Sequence, residues 1–266
     1  MMTLLVTLTA CGKREEVPAE EHEDWSSEEY VYVPEFFEFD MAENTNSSDT
    51  KILGDKLYQY NYLYDIEARK GADQFQILSL EGDLLLEVAL GGNEGEAKYS
   101  FEHLQAYDVD AEGNVYTVEQ AQGEMPDGSR TTDYYLCCYN DSGTKVFSRN
   151  ITTELREDKN SGGAVELLLD EEGRIYVRCQ TSIKLFKQDA SPAGSISMEQ
   201  GSYLYAIAIG KSGDVYVFYS INSFGDTSVR GAKVDFEAGQ LGEEFTNLPV
   251  GGSYDNNYCP GEEETS

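Results

Sequence analysis

The stretch from Leu104 to Val118, LQAYDVDAEGNVYTV, decides the fold because the chain restates its pattern twice more. Residues 165–177 read VELLLDEEGRIYV, and residues 205–217 read YAIAIGKSGDVYV. Each copy is an apolar strand, a polar turn, a glycine, and then a returning strand with Val or Ile, Tyr and Val. Glycine suits the turn because it adopts a positive φ at no steric cost. Such restatement predicts a structure built from repeated units.

Each of these hairpins is followed by a second pair of strand-like segments, with turns at 140–143, at 189–192 and near Gly239. A weaker unit of the same kind runs from 56 to 90. Four short strands in each of four repeats predict an all-β fold, namely a β-propeller of four-stranded antiparallel blades. A β-sandwich is the alternative, since its strands have similar spacing. A sandwich gives no reason for the repeated glycine–tyrosine pattern, so we favour the propeller.

The predicted propeller domain covers 51–266 and is expected to be incomplete. The turn glycines fall at 113, 173 and 213, and we attribute the longer first spacing to a loop inserted at 122–129. A further unit starts near 250 without a strand to complete it. The blades are predicted at about 52–95, 103–152, 164–200 and 203–249, with the start of another at 250–266.

The first ten residues, MMTLLVTLTA, are apolar and are followed by Cys11 and Gly12. This run is too short to span a bilayer as a helix, which needs about 20 residues. A small residue before a cysteine at the end of an apolar run resembles the lipobox of bacterial lipoproteins. The resemblance implies a signal peptide at 1–10, cleavage before Cys11 and a lipid on the Cys11 thiol. No basic residue precedes Cys11, so we expect the signal peptide to be truncated here. The alternative is a buried amino-terminal strand with an ordinary core cysteine.

Residues 11–50 are acidic and poor in aliphatic side chains, which predicts an extended stalk behind the lipidated cysteine. Within it, 30–39 reads YVYVPEFFEF, the composition of a strand interrupted by proline. A segment this apolar is expected to dock on the main domain. An acidic tail that buffers metal ions is the other interpretation of the stalk, although nothing there fixes a ligand geometry.

The chain carries 50 Asp and Glu against 19 Lys and Arg, a formal charge of -31. That balance argues against nucleic acid as a partner, because phosphate binding requires clustered basic residues. It also argues against electrostatic contact with anionic lipids. The hydrophobic content of 40% is sufficient for a packed core.

One segment has the oxygen-ligand spacing of an EF-hand calcium loop. The same place in the other repeats is an ordinary hairpin turn, and the last acid of the set falls in the departing strand. We therefore predict no metal site and keep four residues as the only calcium candidates: Asp108, Asp110, Glu112 and Glu119.

No catalytic residue and no cofactor is predicted. His103 and His22 have no nearby partner in the sequence. The neighbouring Cys137 and Cys138 should point to opposite faces of a strand, so that at most one of them faces the core. Cys179 and Cys259 complete a set without the CxxC spacing of zinc or redox sites. The repeat tyrosines Tyr116, Tyr176 and Tyr216 are interpreted as packing residues before binding residues.

Together, the lipobox, the stalk and the divergent propeller repeats resemble lipoproteins of gut Firmicutes. In some of these, a propeller precedes a family 1 extracellular solute-binding domain of an ABC importer. The resemblance implies an extracytoplasmic protein anchored to the bacterial membrane through Cys11. We expect a binding module rather than an enzyme, with a small solute or carbohydrate, an ABC permease or another surface protein as partner. The alternatives are a lyase or glycosidase that uses carboxylates at the channel mouth, and a structural spacer.

Overall fold

The computed structural model describes residues 45–65, 70–157, 163–199, 201–210, 212–221 and 229–245. These ranges hold sixteen strands and one helix of five residues, α1 (Thr152–Arg156). Within them, no helix is long and apolar enough to cross a membrane. The strands form four antiparallel sheets of four, and each strand pairs with its neighbours in sequence.

The four sheets are blades 1 to 4 in chain order. Blade 1 consists of β1 (Thr45–Leu53), β2 (Lys56–Asp65), β3 (Lys70–Ser79) and β4 (Leu84–Val88). Blade 2 consists of β5 (Lys98–Val109), β6 (Val115–Glu124), β7 (Arg130–Tyr139) and β8 (Lys145–Asn150). Blade 3 consists of β9 (Glu166–Leu169), β10 (Ile175–Arg178), β11 (Ser182–Phe186) and β12 (Pro192–Ser197). Blade 4 consists of β13 (Ser202–Ile209), β14 (Val215–Ile221), β15 (Arg230–Asp235) and β16 (Gln240–Phe245).

These sheets confirm the predicted fold class of an all-β propeller with four-stranded antiparallel blades. Consecutive blades are in contact: β1 meets β5, β5 meets β9, and β10 meets β13. The first strand of each blade is called its inner strand below. Two inner strands, β5 and β9, lie side by side along much of β9.

Two predicted boundaries are wrong. Strand β1 begins at Thr45, where its partner is Leu63, so the first blade starts inside the segment predicted as stalk. Of the loop predicted at 122–129, residues 122–124 continue β6 and only 125–129 form a turn. The long strands β6 and β7, together with α1, therefore produce the wider spacing between Gly113 and Gly173. The predicted signal peptide, Cys11, the 30–39 segment and the unit at 250–266 lie outside the described residues.

One turn recurs between the strands. In the first copy, one carboxylate oxygen of Asp110 accepts the backbone N–H groups of Glu112 and Asn114, at 3.0 and 2.8 Å. Gly113 then takes a φ of +85°, in the left-handed region that other residues avoid. Asn140 and Asp170 hold equivalent turns in the same way. The side-chain oxygen of the first polar residue in each of these turns thus accepts the hydrogen bonds that hold the turn together.

The core consists of three apolar clusters, one between each pair of consecutive blades. Cys137 belongs to the cluster between blades 1 and 2, whereas Cys138 belongs to the one between blades 2 and 3. They do point to opposite faces, but both are buried, so the expectation that at most one faces the core is wrong. The reason is that blade 2 is packed on both faces. Tyr116 and Tyr176 are also buried in these clusters.

Candidate functional site

A cavity of about 430 Å³ lies between blades 1 and 2. We call it the His103 pocket. Strand β2 lines one side and the first half of β5 lines the other. Its lining residues are Tyr60, Tyr62, Phe101, His103, Leu104 and Gln105. A second cavity of about 420 Å³ shares Tyr60, Leu104 and Gln105 with it and continues along the inner strands. We call this second cavity the axial groove.

His103 is paired with a carboxylate. Its Nδ1 lies 3.0 Å from Oδ1 of Asp73, which sits on β3 of the neighbouring blade. The Tyr60 hydroxyl donates to the same oxygen at 2.9 Å, and the backbone N–H of Leu104 donates to Oδ2. Only 7% of the Asp73 side chain is exposed. Three donors therefore hold this carboxylate in one orientation.

The hydrogen bond to Asp73 selects the tautomer of the His103 imidazole. An ionised carboxylate only accepts hydrogen bonds, so Nδ1 of the neutral ring carries the proton and Nε2 keeps its lone pair. Within the part of the chain that the structure describes, Nε2 has no hydrogen-bond partner. Burial, and next the charge of Asp73, raise the pKa of Tyr60 well above its ordinary value, so its hydroxyl remains a donor.

Aromatic side chains fix the plane of the His103 ring. Tyr62 meets it edge-on with centroids 5.4 Å apart, and Phe101 stacks on it at 6.0 Å with an interplanar angle of 16°. Strand register places Tyr62 directly opposite Asp73. The Tyr62 ring also lies across Gly71, where a Cβ would fall 1.9 Å from the phenolic oxygen. Gly71 therefore makes room for one wall of the pocket.

Three charged side chains of the axial groove, Lys51, Glu166 and Arg178, are already paired. Lys51 donates to Asp108 at 2.7 Å and to the backbone carbonyl of Tyr107 at 2.9 Å. Arg178 donates to Glu166 at 2.6 Å and to the backbone carbonyl of Leu204 at 2.9 Å. The Lys51–Asp108 ion pair joins the inner strands of blades 1 and 2. The Arg178–Glu166 pair lies within blade 3, and Arg178 reaches blade 4 only through the Leu204 carbonyl. These two ion pairs leave no free pair of carboxylates for glycosidase-type chemistry among the described residues of this groove.

The four calcium candidates are not brought together. Asp108 binds Lys51 and the backbone N–H of Leu169. Asp110 closes its own turn, and Glu112 follows it on the exposed tip. Glu119 is buried in β6. Across the described ranges, no three His, Cys, Asp or Glu side chains are grouped to hold a metal ion. The calcium-like spacing thus reflects the chemistry of the turn.

Glu119 is the most enclosed acid of this region, with 1% of the residue exposed. One carboxylate oxygen accepts from the hydroxyls of Thr117 and Tyr139, at 2.9 and 2.7 Å. The other accepts from the Gly91 backbone N–H and the Asn93 side-chain amide, at 3.2 and 2.7 Å. The carboxylate thereby ties the segment between β4 and β5 to blade 2.

Asn93 extends this network. Its side-chain oxygen accepts from Lys145 at 3.1 Å, from Ser148 at 2.6 Å and from the Cys137 thiol at 3.3 Å. A cavity of about 600 Å³ lies beside the segment, but the Glu102 carboxylate on its wall accepts backbone N–H groups of residues 92 and 93. The polar groups that line this cavity thus hydrogen-bond to the segment between β4 and β5, and we regard the region as structural.

Sequence reasoning missed the Asp73–His103 pair. The sequence predicts no partner for His103, because its carboxylate lies 30 residues earlier in a different blade. The only local signal was the aromatic pattern Tyr60–Tyr62, which blade packing also explains. The pair follows from the contact between β3 and β5, which the repeat pattern does not specify.

The buried thiols provide a test of the packing. Burial, and next the charge of Glu119, raise the pKa of Cys137 to about 12, while burial raises that of Cys138 to about 11. Both thiols should therefore resist iodoacetamide in the folded protein at pH 8 and react in urea, as measured by peptide mass spectrometry. A raised thiol pKa stabilises the fold fully below the unfolded value of about 8.5. This stabilisation is lost as the pH rises towards the folded value. Labelling of native Cys137 at pH 8 would contradict this packing.

No family model matches this chain, and no curated protein matches it. Among solved structures, it is similar to a protein of unknown function from Bacteroides caccae, with 10% identity and a TM-score of 0.46. That match covers 74% of this chain and 59% of the other. A protein of unknown function from Dyadobacter fermentans has 11% identity and a TM-score of 0.46, with coverage of 75% and 68%. A gluconolactonase from Xanthomonas campestris has 14% identity and a TM-score of 0.38, with coverage of 67% and 55%. This chain thus spans little more than half the length of the first and the third.

Proposed function

We propose that this chain is an extracytoplasmic, lipid-anchored propeller module that binds a small ring-shaped ligand, such as a carbohydrate, in the His103 pocket. One observation carries the proposal: three aromatic side chains and His103, which is paired with Asp73 behind it, line a single cavity of about 430 Å³. That volume lies within the range of about 300–1,000 Å³ that small-molecule sites occupy.

The lining suits a ligand with one apolar face and a polar rim. The rings of Tyr62 and Phe101 offer flat surfaces for stacking, which aromatic side chains favour. Polar groups then fix the orientation: Nε2 of His103 accepts a hydrogen bond, and the Gln105 amide both donates and accepts. A few polar groups on an otherwise apolar wall are typical of binding sites.

The location in this proposal comes from the amino-terminal sequence. Residues 8–11 read LTAC, which resembles a lipobox, and the acidic segment that follows would hold the propeller away from the membrane. An ABC permease or another surface protein is the expected partner. Cells that express the gene with its upstream sequence should incorporate labelled palmitate, and the Cys11→Ser variant should not. Palmitate in that variant would contradict anchoring at Cys11.

Ligand binding is tested by removing one wall of the pocket. We expect Tyr62→Ala to weaken the binding of a carbohydrate ligand at least ten-fold, because stacking area is lost. Isothermal titration with a panel of monosaccharides and their linear oligomers would measure this. Tyr203→Ala is the matched control, since Tyr203 is 38% exposed on blade 4, and it should leave affinity unchanged. The proposal fails if nothing in the panel binds, or if both variants bind like the original chain.

A further inference from the structure

We propose that His103 is a general base that abstracts a proton from a planar, ring-shaped substrate in the His103 pocket, with Asp73 as its positioning residue. This inference rests on the proposed function, because it places the chemistry on a ligand held in the same cavity. The pair is poised for that role by its geometry, and it is the only Asp–His contact within the described ranges.

The first support is that the two ring nitrogens of His103 have different roles. Nδ1 donates to Asp73, so the lone pair of the neutral ring resides on Nε2. His103 lines the cavity and its side chain is 28% exposed, four times the exposure of the Asp73 side chain. A buried carboxylate that orients an imidazole and stabilises its protonated form is how an Asp–His pair makes a base.

The second support is the anchoring of Asp73. A carboxylate that only balanced charge would not need three directed donors. Here Tyr60, the Leu104 backbone N–H and His103 all bind its two oxygens. Leu104 follows His103 directly, so the same carboxylate fixes both the ring and the backbone that carries it. The lone pair of Nε2 consequently has one preferred direction.

The side chains that line the His103 pocket restrict the types of reaction it could support. Among the residues that the structure describes, those lining the cavity include no Ser, Thr, Cys or Lys, so none of them supplies a side-chain nucleophile of these types. The flat walls formed by Tyr62 and Phe101 suit a planar ring. Proton abstraction from a ring carbon, coupled to cleavage of a bond to an adjacent heteroatom, requires only a base and such a stacking site.

A suitable probe is 5-nitrobenzisoxazole, which opens when a base removes one proton. Nε2 of His103 takes the proton from C3 of the probe, and the C–H electron pair forms the nitrile. The ring N–O bond breaks, and its electron pair leaves on oxygen as a phenolate. The imidazolium then returns its proton to water. The step needs no oxidant, reductant or second substrate, and the coloured phenolate reports its rate.

The test compares the full chain with three variants at pH 7. His103→Gln should lower kcat/KM at least ten-fold, because a general base contributes about 10² to 10⁴ in rate. His22→Gln removes the only other histidine and should leave the rate unchanged. Asp73→Asn should lower kcat with little effect on KM, because its amide donates to Nδ1 and leaves the proton on Nε2. Equal rates for His103→Gln and the original chain would overturn the inference.

A binding measurement separates this inference from the proposed function. The planar, unreactive 6-nitrobenzotriazole is titrated into the original chain, His103→Gln and Tyr62→Ala. Binding that Tyr62→Ala weakens, without turnover that depends on His103, overturns the base and leaves the pocket intact as a binding site. Absence of binding to the original chain overturns the inference, because the pocket then holds no planar ring, whereas the proposed function stands or falls with the saccharide titrations. Circular dichroism establishes that each variant retains its strands.

Discussion

Glu119→Ala is expected to lower the free energy of unfolding by about 3–5 kcal/mol, because several enclosed donors lose their acceptor at once. The substitution leaves the side chains of Thr117, Tyr139 and Asn93 and the Gly91 N–H without their common acceptor. Each buried donor without a partner costs about 1–3 kcal/mol before the site relaxes. Urea denaturation followed by far-ultraviolet circular dichroism would measure the loss.

Two further variants serve as controls for the stability loss expected in Glu119→Ala. Glu87→Ala removes an exposed glutamate of β4 and should change stability by less than about 0.5 kcal/mol. Glu119→Gln keeps the shape but turns an amide donor towards groups that already donate, so its effect should fall between the two. If Glu119→Ala were as stable as Glu87→Ala, the network would not hold the segment between β4 and β5.

Tyr107→Ala is expected to cost about 3–5 kcal/mol, since it empties a large buried site between blades 1 and 2. The residue is 4% exposed, and its ring meets Phe75 edge-on with centroids 4.9 Å apart. The one proton of its hydroxyl is shared between the backbone carbonyls of Tyr58 and Asp49, at 3.0 and 3.1 Å. Thermal or urea denaturation would measure the change.

Tyr107→Phe separates the contribution of the hydroxyl to stability from that of the packed ring. It keeps the ring and removes the hydroxyl, so only the buried acceptors of blade 1 lose a partner. We expect a cost of about 1–2 kcal/mol, within the range for one lost hydrogen bond. A loss in Tyr107→Phe as large as that in Tyr107→Ala would show that the hydroxyl, and not the packed ring, joins the two blades.

The blade pattern was predictable because it is local. Gly113 and its equivalents mark a turn whose backbone geometry excludes most other side chains, and strands on either side follow from alternating β-branched and aromatic residues. The turn between β11 and β12 departs from this: where the corresponding turn of blade 2 has Gly143, this turn has Ala190 with a φ of +62°. Its buried methyl group packs in the cluster between blades 2 and 3. Packing there offsets the backbone strain, so that turn lacks the glycine signal.

The candidate site was not predictable because it depends on contacts between blades. Asp73 and His103 belong to different sheets, and no periodicity within either strand connects them. Conversely, the spacing of Asp108, Asp110 and Glu119 indicated a possible cation loop although the three acids have separate partners. A short motif in a turn-rich repeat therefore carries little information until the neighbouring blade is known.

Every sheet is made from four strands that follow one another in the chain, without a crossover. The strand-to-strand hydrogen bonds of a blade can thus form as soon as its own residues are present. Only the apolar clusters between blades require the next blade. Contacts between residues close in sequence favour rapid folding. A chain that emerges vectorially, from a ribosome or from a translocation channel, can therefore form its sheets one after another in the order of synthesis. Each finished blade then offers an apolar face on which its successor assembles.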